Sequence, residues 1–389
     1  MKKNKLRVGI IGLGNQGSVY AGFFKAGLVK NGTLAAVCDL NREKMEAQAK
    51  KLHLKCRQFT DYRELLQSGC VDAVIVTTPH YLHPEIVCEA VDRGIHVMSD
   101  KPAGVYTLQV KEAIRKAQAH PEVYCGLMLN QRTHGTFKKM KQMIADGEIG
   151  EIKRVNWLIT DWYRAQSYFD ASPWKATWVG EGGGVLFNQS PHQLDLLQWI
   201  VGMMPVKIRA FCHFGKWHDI ETEDDVTAYL EFENGATGTF VTSTGDYPGT
   251  NRLEILGTKG KLVCTDTRKL VFYKSKQDER EFNAAYKGGF GTPGKKKKCV
   301  FTKKISVMHL EVINDFVSSV CDHTELKIGY SEGLNGVEIA DAMLLSQWLD
   351  REVTLPIDDA LYYAELQKRI ANSSLRDAND AVLNTIGTY

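Results

Sequence analysis

Residues 6–17 read LRVGIIGLGNQG. An apolar strand, Val8 to Ile11, runs into Gly12-x-Gly14-x-x-Gly17, and the helix-compatible stretch SVYAGFFKAG follows. Each glycine has a mechanical reason. Gly12 permits a tight turn, Gly14 lets the backbone approach a pyrophosphate, and Gly17 lets helix and strand pack closely. The helix start offers free N–H groups and a positive dipole end to phosphates, which places Asn15 and Gln16 among the expected cofactor contacts. A second apolar strand, LAAVCD, ends in Asp39. An acid at that strand end accepts hydrogen bonds from ribose hydroxyls and repels a 2′-phosphate, so NAD is expected. Leu40 and Arg42 follow at the same edge, and Arg42 keeps NADP open.

The pattern continues outward. NREKMEAQAKKLHL reads as a helix, CRQF as a short strand, DYRELLQSG as a helix and VDAVIVTTP as a buried strand. Another helix, HPEIVCEAVDRG, and another strand, IHVMSD, complete the run. Strands alternating with helices imply an α/β domain with a doubly wound parallel sheet. Ligands in such sheets lie beyond the carboxyl ends of the strands. That rule lines up the glycine turn, Asp39, Thr77, Thr78, Pro79, His80, His83, Asp100 and Lys101 on one edge. His83 precedes Pro84, so capping and packing are alternatives for it. The pair Asp100-Lys101 ends a buried strand, where charge is costly unless a ligand, a partner or solvent receives it. Beside a nicotinamide, Lys101 would stabilise a developing alkoxide.

Composition narrows the remaining classes. The 389 residues are 43% hydrophobic and 24% charged, with net charge +3. That length supports two cores, and the near-balance gives no case for nucleic acid or a membrane surface. Nine cysteines stand singly, with no C-x-x-C pair. They argue against a disulfide framework or a zinc site, and no metal is expected; a reducing cytoplasm suits them. The apolar run in MKKNKLRVGIIGLG is short and enters a glycine turn, so it reads as a strand and not a signal peptide.

A second motif stands at 182–199, GGGVLFNQSPHQLDLLQW. Ser190 is the expected N-cap, with Gln193 completing a capping box and Pro191 at the first helical position. His192 then lies in the first turn. The positive helix end should depress its pKa and keep the imidazole neutral, as a base requires. Asp195 is three residues along on the same face.

GLGNQG, VCDLN, TTPHYLH, HVMSDKP and GGGVLFNQSPHQLD occur in an order that resembles the Gfo/Idh/MocA oxidoreductases. The resemblance runs to about residue 350. It implies a Rossmann domain, then a C-terminal α/β domain with an open, mostly antiparallel sheet. It also implies a nicotinamide cofactor, a small-molecule sugar, glycoside or cyclitol substrate, and a homodimer or homotetramer. On it, Lys101 and His192 are the catalytic pair and Arg132 a pocket residue. Two positions depart from the family: its usual E-K-P triplet is Asp100-Lys101-Pro102, and Asn188 stands where many members carry an aspartate. Asparagine orients a hydroxyl but cannot shuttle a proton.

The expected domains are 1–128 (dinucleotide-binding), 129–350 (substrate-binding) and 351–389 (a C-terminal extension with one helix). Between 157 and 178 stand Trp157, Trp162, Trp174 and Trp178, with Tyr163 and Tyr168 among them. Trp157 reads as core. WYRAQSYFDASPWKATW reads as a loop whose rings pack on sugar faces; Trp162, Tyr163, Arg164 and Trp174 are the candidate contacts, beside Asn188 and Asp195. Lys295 to Lys298 read as a solvated loop. The expected reaction is reversible oxidation of a secondary hydroxyl. Two alternatives stand: a glycosidase or lyase that oxidises its substrate transiently, and a non-catalytic regulator with a retained dinucleotide pocket.

Overall fold

The computed structural model describes residues 5–302 and 307–378. The first unit alternates β1 (Leu6–Ile11), α1 (Asn15–Lys25), β2 (Gly32–Cys38), α2 (Arg42–Lys51), β3 (Arg57–Phe59), α3 (Tyr62–Gln67), β4 (Ala73–Val76), α4 (Leu82–Asp92), β5 (His96–Ser99), α5 (Thr107–Ala119) and β6 (Cys125–Leu127). All six strands run parallel in the order β3-β2-β1-β4-β5-β6. Every residue of β4 is buried, as helices on both faces of a parallel sheet require. Short polar caps set the helix starts. The Asn41 side chain accepts the Lys44 N–H at 3.0 Å, and Asp61 accepts that of Arg63 at 2.7 Å.

The chain then builds α6 (Gly135–Ala145), β7 (Ile152–Ile159), α7 (Gln166–Phe169), α8 (Pro191–Val201), β8 (Pro205–Phe214), β9 (Glu223–Phe232), β10 (Thr237–Ser243), β11 (Asn251–Gly257), β12 (Gly260–Thr265), β13 (Lys269–Ser275), α9 (Glu279–Ala285), β14 (Lys295–Val300), α10 (Met308–Asp322), α11 (Gly333–Leu349), β15 (Val353–Thr354) and α12 (Asp359–Ile370). The nine strands take the order β14-β13-β12-β11-β7-β10-β9-β8-β15. Only the β7–β10 pair is parallel. The fold class expected from the sequence is the one observed. Alternate residues of β7, β8 and β9 face a core shared with α8 and α11, and the other face leaves Leu158, Phe211 and Tyr229 exposed.

The structure corrects one reading. Lys295 to Lys298 are not a loop: they form most of β14, paired with β13 at the sheet edge, where lysines keep the free side in water. Residues after 350 are woven into the body. β15 pairs with β8, and Tyr362 and Leu366 of α12 are in the main core. The structure also adds a long-range element. α10 packs Val312, Ile313, Phe316, Val317 and Val320 against β1, β4 and α1, so one face of the first sheet is closed by a late segment.

Candidate active site

The glycine turn has the geometry its sequence requires. Gly12 has φ +95°, and a Cβ there would lie 2.7 Å from the Thr77 carbonyl oxygen. A Cβ at Gly17 would lie 1.9 Å from the Gly12 oxygen. The Thr77 hydroxyl donates to Gly12 O at 2.6 Å, bracing the turn. At Gly14 the space is open, and a Cβ there would meet only the Lys44 ammonium, at 3.9 Å. Lys44, on α2, is a cation that the sequence reading passed over. Asp39 accepts the N–H groups of Leu13 (2.8 Å) and Asn41 (3.0 Å), so its carboxylate sits beside the turn at the end of β2. Leu40 is 82% exposed, and Arg42 is exposed at the same edge, with Glu46 3.9 Å away.

Several buried polar atoms along this edge have no hydrogen-bond partner among the described residues: Asn15 Oδ1, Thr78 Oγ1, His80 Nδ1, Asn130 Oδ1 and His192 Nδ1. Buried polar atoms are costly when unpaired, so a row of them beside an open glycine turn marks ground prepared for a polar ligand. The turn, Asp39 and this row fit a dinucleotide. His83 is not in the row. Both of its ring nitrogens meet carbonyls, Pro102 O and Thr78 O, each at 2.8 Å, so it ties the end of β4 to the loop after β5. Asp100 is likewise engaged: Tyr20 of α1 donates to it at 2.8 Å, and the Lys101 N–H at 2.8 Å.

His192 occupies the first turn of α8, with Pro191 at the helix start. The expected capping box does not form. Ser190 has φ −97° and ψ 4°, outside the extended region a side-chain cap needs, and its hydroxyl pairs with Thr242 at 2.8 Å. The Gln193 amide donates to Gln131 at 3.3 Å. The imidazole pKa still falls well below its ordinary value. Burial is the main cause, with Lys101 and His309 adding positive charge nearby. His309 arrives on α10.

Lys101 donates to the main-chain oxygen of Asn188 at 2.6 Å. Burial lowers its pKa, against the pull of Asp100 and Glu181. Asn188 Oδ1 accepts from the Tyr168 hydroxyl at 3.0 Å and from Gln189 at 3.2 Å, while Nδ2 donates to Glu181. Glu181 is 2% exposed. Its second oxygen accepts the Ala176 N–H at 2.6 Å. Burial pushes this carboxyl up to about 7, opposed by those donors and by Lys175 and Lys101.

Arg132 and Asp195 meet each other. They form a two-bond ion pair at 2.6 and 2.8 Å, 4% and 2% exposed, and Arg132 also bonds Glu332. The pair joins the segment after β6 to α8, and Gln198 adds a third donor to Asp195 at 3.3 Å. Among the aromatics, Trp157 is core and Trp178 packs edge-on against Trp348 and Phe214. Trp174 reaches across to His80, ring centroids 5.6 Å apart, so the aromatic loop touches the cofactor edge. Trp162 is half-buried with an unpartnered Nε1, and Arg164 lies over both Trp162 and Tyr168. Tyr163 is 49% exposed and pairs with Tyr247. Tyr20, Glu181, His309 and Glu332 escaped the sequence reading, since only a folded chain brings them here. Glu181 alone had a local sign, an acid directly before three glycines. Among the described residues, no group of three or more His, Cys, Asp or Glu is placed to hold a metal ion, and no helix is long and apolar enough to cross a membrane.

Comparison with known proteins adds three findings. A family model described as an oxidoreductase family with an NAD-binding Rossmann fold matches residues 6–127, and one described as the GFO/IDH/MocA C-terminal domain matches residues 137–263. The myo-inositol 2-dehydrogenase of Thermotoga maritima is 24% identical over 349 residues, 87% of this chain and 94% of its own. A 2,7-anhydro-N-acetylneuraminate hydratase of Mediterraneibacter gnavus is 25% identical over 327 residues, 78% and 85% of the two chains. The crystal structure of the WlbA dehydrogenase from Bordetella pertussis, in complex with NADH and UDP-GlcNAcA, matches with a TM-score of 0.76. It is 25% identical, and the match covers 91% of this chain and 100% of that one.

Proposed function

The chain belongs to the GFO/IDH/MocA oxidoreductases, an NAD-binding family with sugar and cyclitol dehydrogenases among its members, and from that premise we propose that it reversibly oxidises a secondary hydroxyl of a sugar, sugar derivative or cyclitol. One observation carries the reading: a buried imidazole with an unpartnered Nδ1, kept neutral by its surroundings, beside a half-buried lysine at the cofactor edge. A bound nicotinamide would supply the hydride acceptor, held by the glycine turn and Asp39.

The residues of this chain do the rest. His192, neutral, takes the hydroxyl proton. Lys101 uses one N–H on Asn188 O and has two left for the oxygen that gains negative charge. Asp100, anchored by Tyr20 and bonded to the Lys101 main chain, fixes where that lysine starts. Trp162, Tyr163 and Trp174 offer ring faces to the substrate, and Arg164 a guanidinium. Asp39 favours NAD over NADP, since a 2′-phosphate would meet its carboxylate.

A screen of sugars, cyclitols and glycosides for NADH formation tests the reading. His192→Asn should lower turnover on the best substrate at least ~100-fold, with NADH affinity retained; near-wild-type turnover would overturn the role of His192. A second reading draws support from the hydratase among the relatives. In it the same residues oxidise the substrate transiently, an elimination or addition follows, and the carbon is reduced again. Net product without accumulation of NADH would select it.

A further inference from the structure

The chain lacks an acid at position 188, yet a carboxylate lies directly behind it. We propose that Glu181 is a positioning residue of this site: its carboxylate fixes the Asn188 amide, Asn188 holds the Lys101 ammonium, and the protonation of Glu181 governs how that lysine is charged and presented. The inference rests on the reading of Lys101 and His192 as the reacting pair.

The hydrogen-bond directions carry the argument. An ionised carboxylate only accepts. Glu181 Oε2 takes the Ala176 N–H, so Oε1 is left to receive Asn188 Nδ2. With Nδ2 turned there, Asn188 Oδ1 must face the other way, where two donors meet it, the Tyr168 hydroxyl and the Gln189 amide. Every direction in the chain agrees with an ionised Glu181. A proton on Oε1 would make that oxygen a donor facing the donor Nδ2. The amide would then have to turn over, which sets Nδ2 against the Gln189 N–H. The protonated state therefore forces the row to rearrange, at Asn188 and at the Gln189 amide beyond it. The main chain of the same asparagine accepts the Lys101 ammonium, so a shift at 188 is felt by that lysine.

The charges around Glu181 act in the same sense. Lys101 faces it from the loop after β5, and Lys175 from the aromatic loop. His80, beyond β4, hydrogen-bonds its main chain, and Glu223 of β9 interacts with it as a like charge. Asp100 and Glu181 are the two carboxylates that support the charge on Lys101, so neutralising Glu181 removes one of them. With the carboxyl pushed up to about 7, this change falls in the neutral range.

The test compares wild type with Glu181→Gln and Glu181→Asp. In wild type, kcat/KM should fall as pH drops through about 7. Glu181→Gln should lose that limb and run, at alkaline pH, about tenfold or more below wild type, as expected when a charge-assisted hydrogen bond is lost. Its NADH affinity, read by fluorescence, should stay within about twofold, since Glu181 is not among the groups on the dinucleotide edge. Glu181→Asp should regain a titrating limb, which a merely space-filling role would not predict. An independent readout needs no turnover: reductive methylation of Lys101, followed by mass spectrometry against pH. Losing the neighbouring anion should let Lys101 react at lower pH in Glu181→Gln than in wild type. An unchanged pH limb, or identical methylation profiles, would overturn the proposal. If wild type oxidises no polyol but the methylation shift appears, the dehydrogenase reading falls and the role of Glu181 stands.

Discussion

Arg132 and Asp195 show how residue-level chemistry depends on partners that local sequence does not announce. Their pair is almost fully enclosed, and Glu332 completes it from 200 positions away. Removing one member of a buried pair leaves the other charged and desolvated. Asp195→Asn should therefore destabilise the protein by about 3 kcal/mol, read by denaturant titration. A loss of activity with unchanged stability would instead show Asp195 acting on substrate. The residues legible in the sequence were those whose reason is local. Gly12 and Gly17 stand where any side chain collides with backbone, and His192 begins a helix after a proline. The partners of Asp100, Asn188 and Arg132 were not legible, because Tyr20, Glu181 and Glu332 are fixed by tertiary packing. The low pKa of His192 was expected, but burial rather than the helix end is its chief cause.

Among the elements, the turn between the aromatic loop and α8 is shaped from β9. The N–H groups of Gly184 and Leu186 both point to Glu223 Oε1, at 2.8 and 3.0 Å. Burial raises this carboxyl from 4.5 to about 7. A carboxyl with a higher pKa folded than unfolded binds its proton more tightly in the folded state. Its contribution is full below the unfolded value and is lost as pH rises between the two. Melting temperature should then decline for this reason between about 4.5 and 7, by an amount worth at most about 3 kcal/mol. Glu223→Gln should flatten that part of the profile, as scanning fluorimetry across pH would show; an unaltered slope would reject the assignment. Strand and helix identities were readable because their periodicities differ. The lysine run of β14 was misread because charge on an edge strand looks like charge on a loop.

On the scale of the whole molecule, the last described residues return to the aromatic loop. Ser373 bonds Glu221 and the Val179 N–H, while Arg376 bonds Asp170 (2.6 Å), Asp219 O (2.8 Å) and, through its own N–H, Pro173 O (2.8 Å). The segment read as an extension thus straps that loop from outside. Combining Ser373→Ala with Arg376→Ala should raise KM by about three- to tenfold, the loss of roughly 1 kcal/mol of loop ordering, with NADH affinity unchanged. Equal KM values would show that the loop holds its shape unaided.

The placement of α10 bears on how this protein is made. The glycine turn and all six parallel strands leave the ribosome by Leu127, yet the helix that closes one face of their sheet ends at Asp322. At ordinary synthesis rates the interval is on the order of 10–40 s. Throughout it Val8, Ile10, Ala73 and Ile75 lack their final cover. The nascent first third therefore carries uncovered apolar surface of the kind that aggregates, although in the finished molecule it is the third whose sequence is easiest to read.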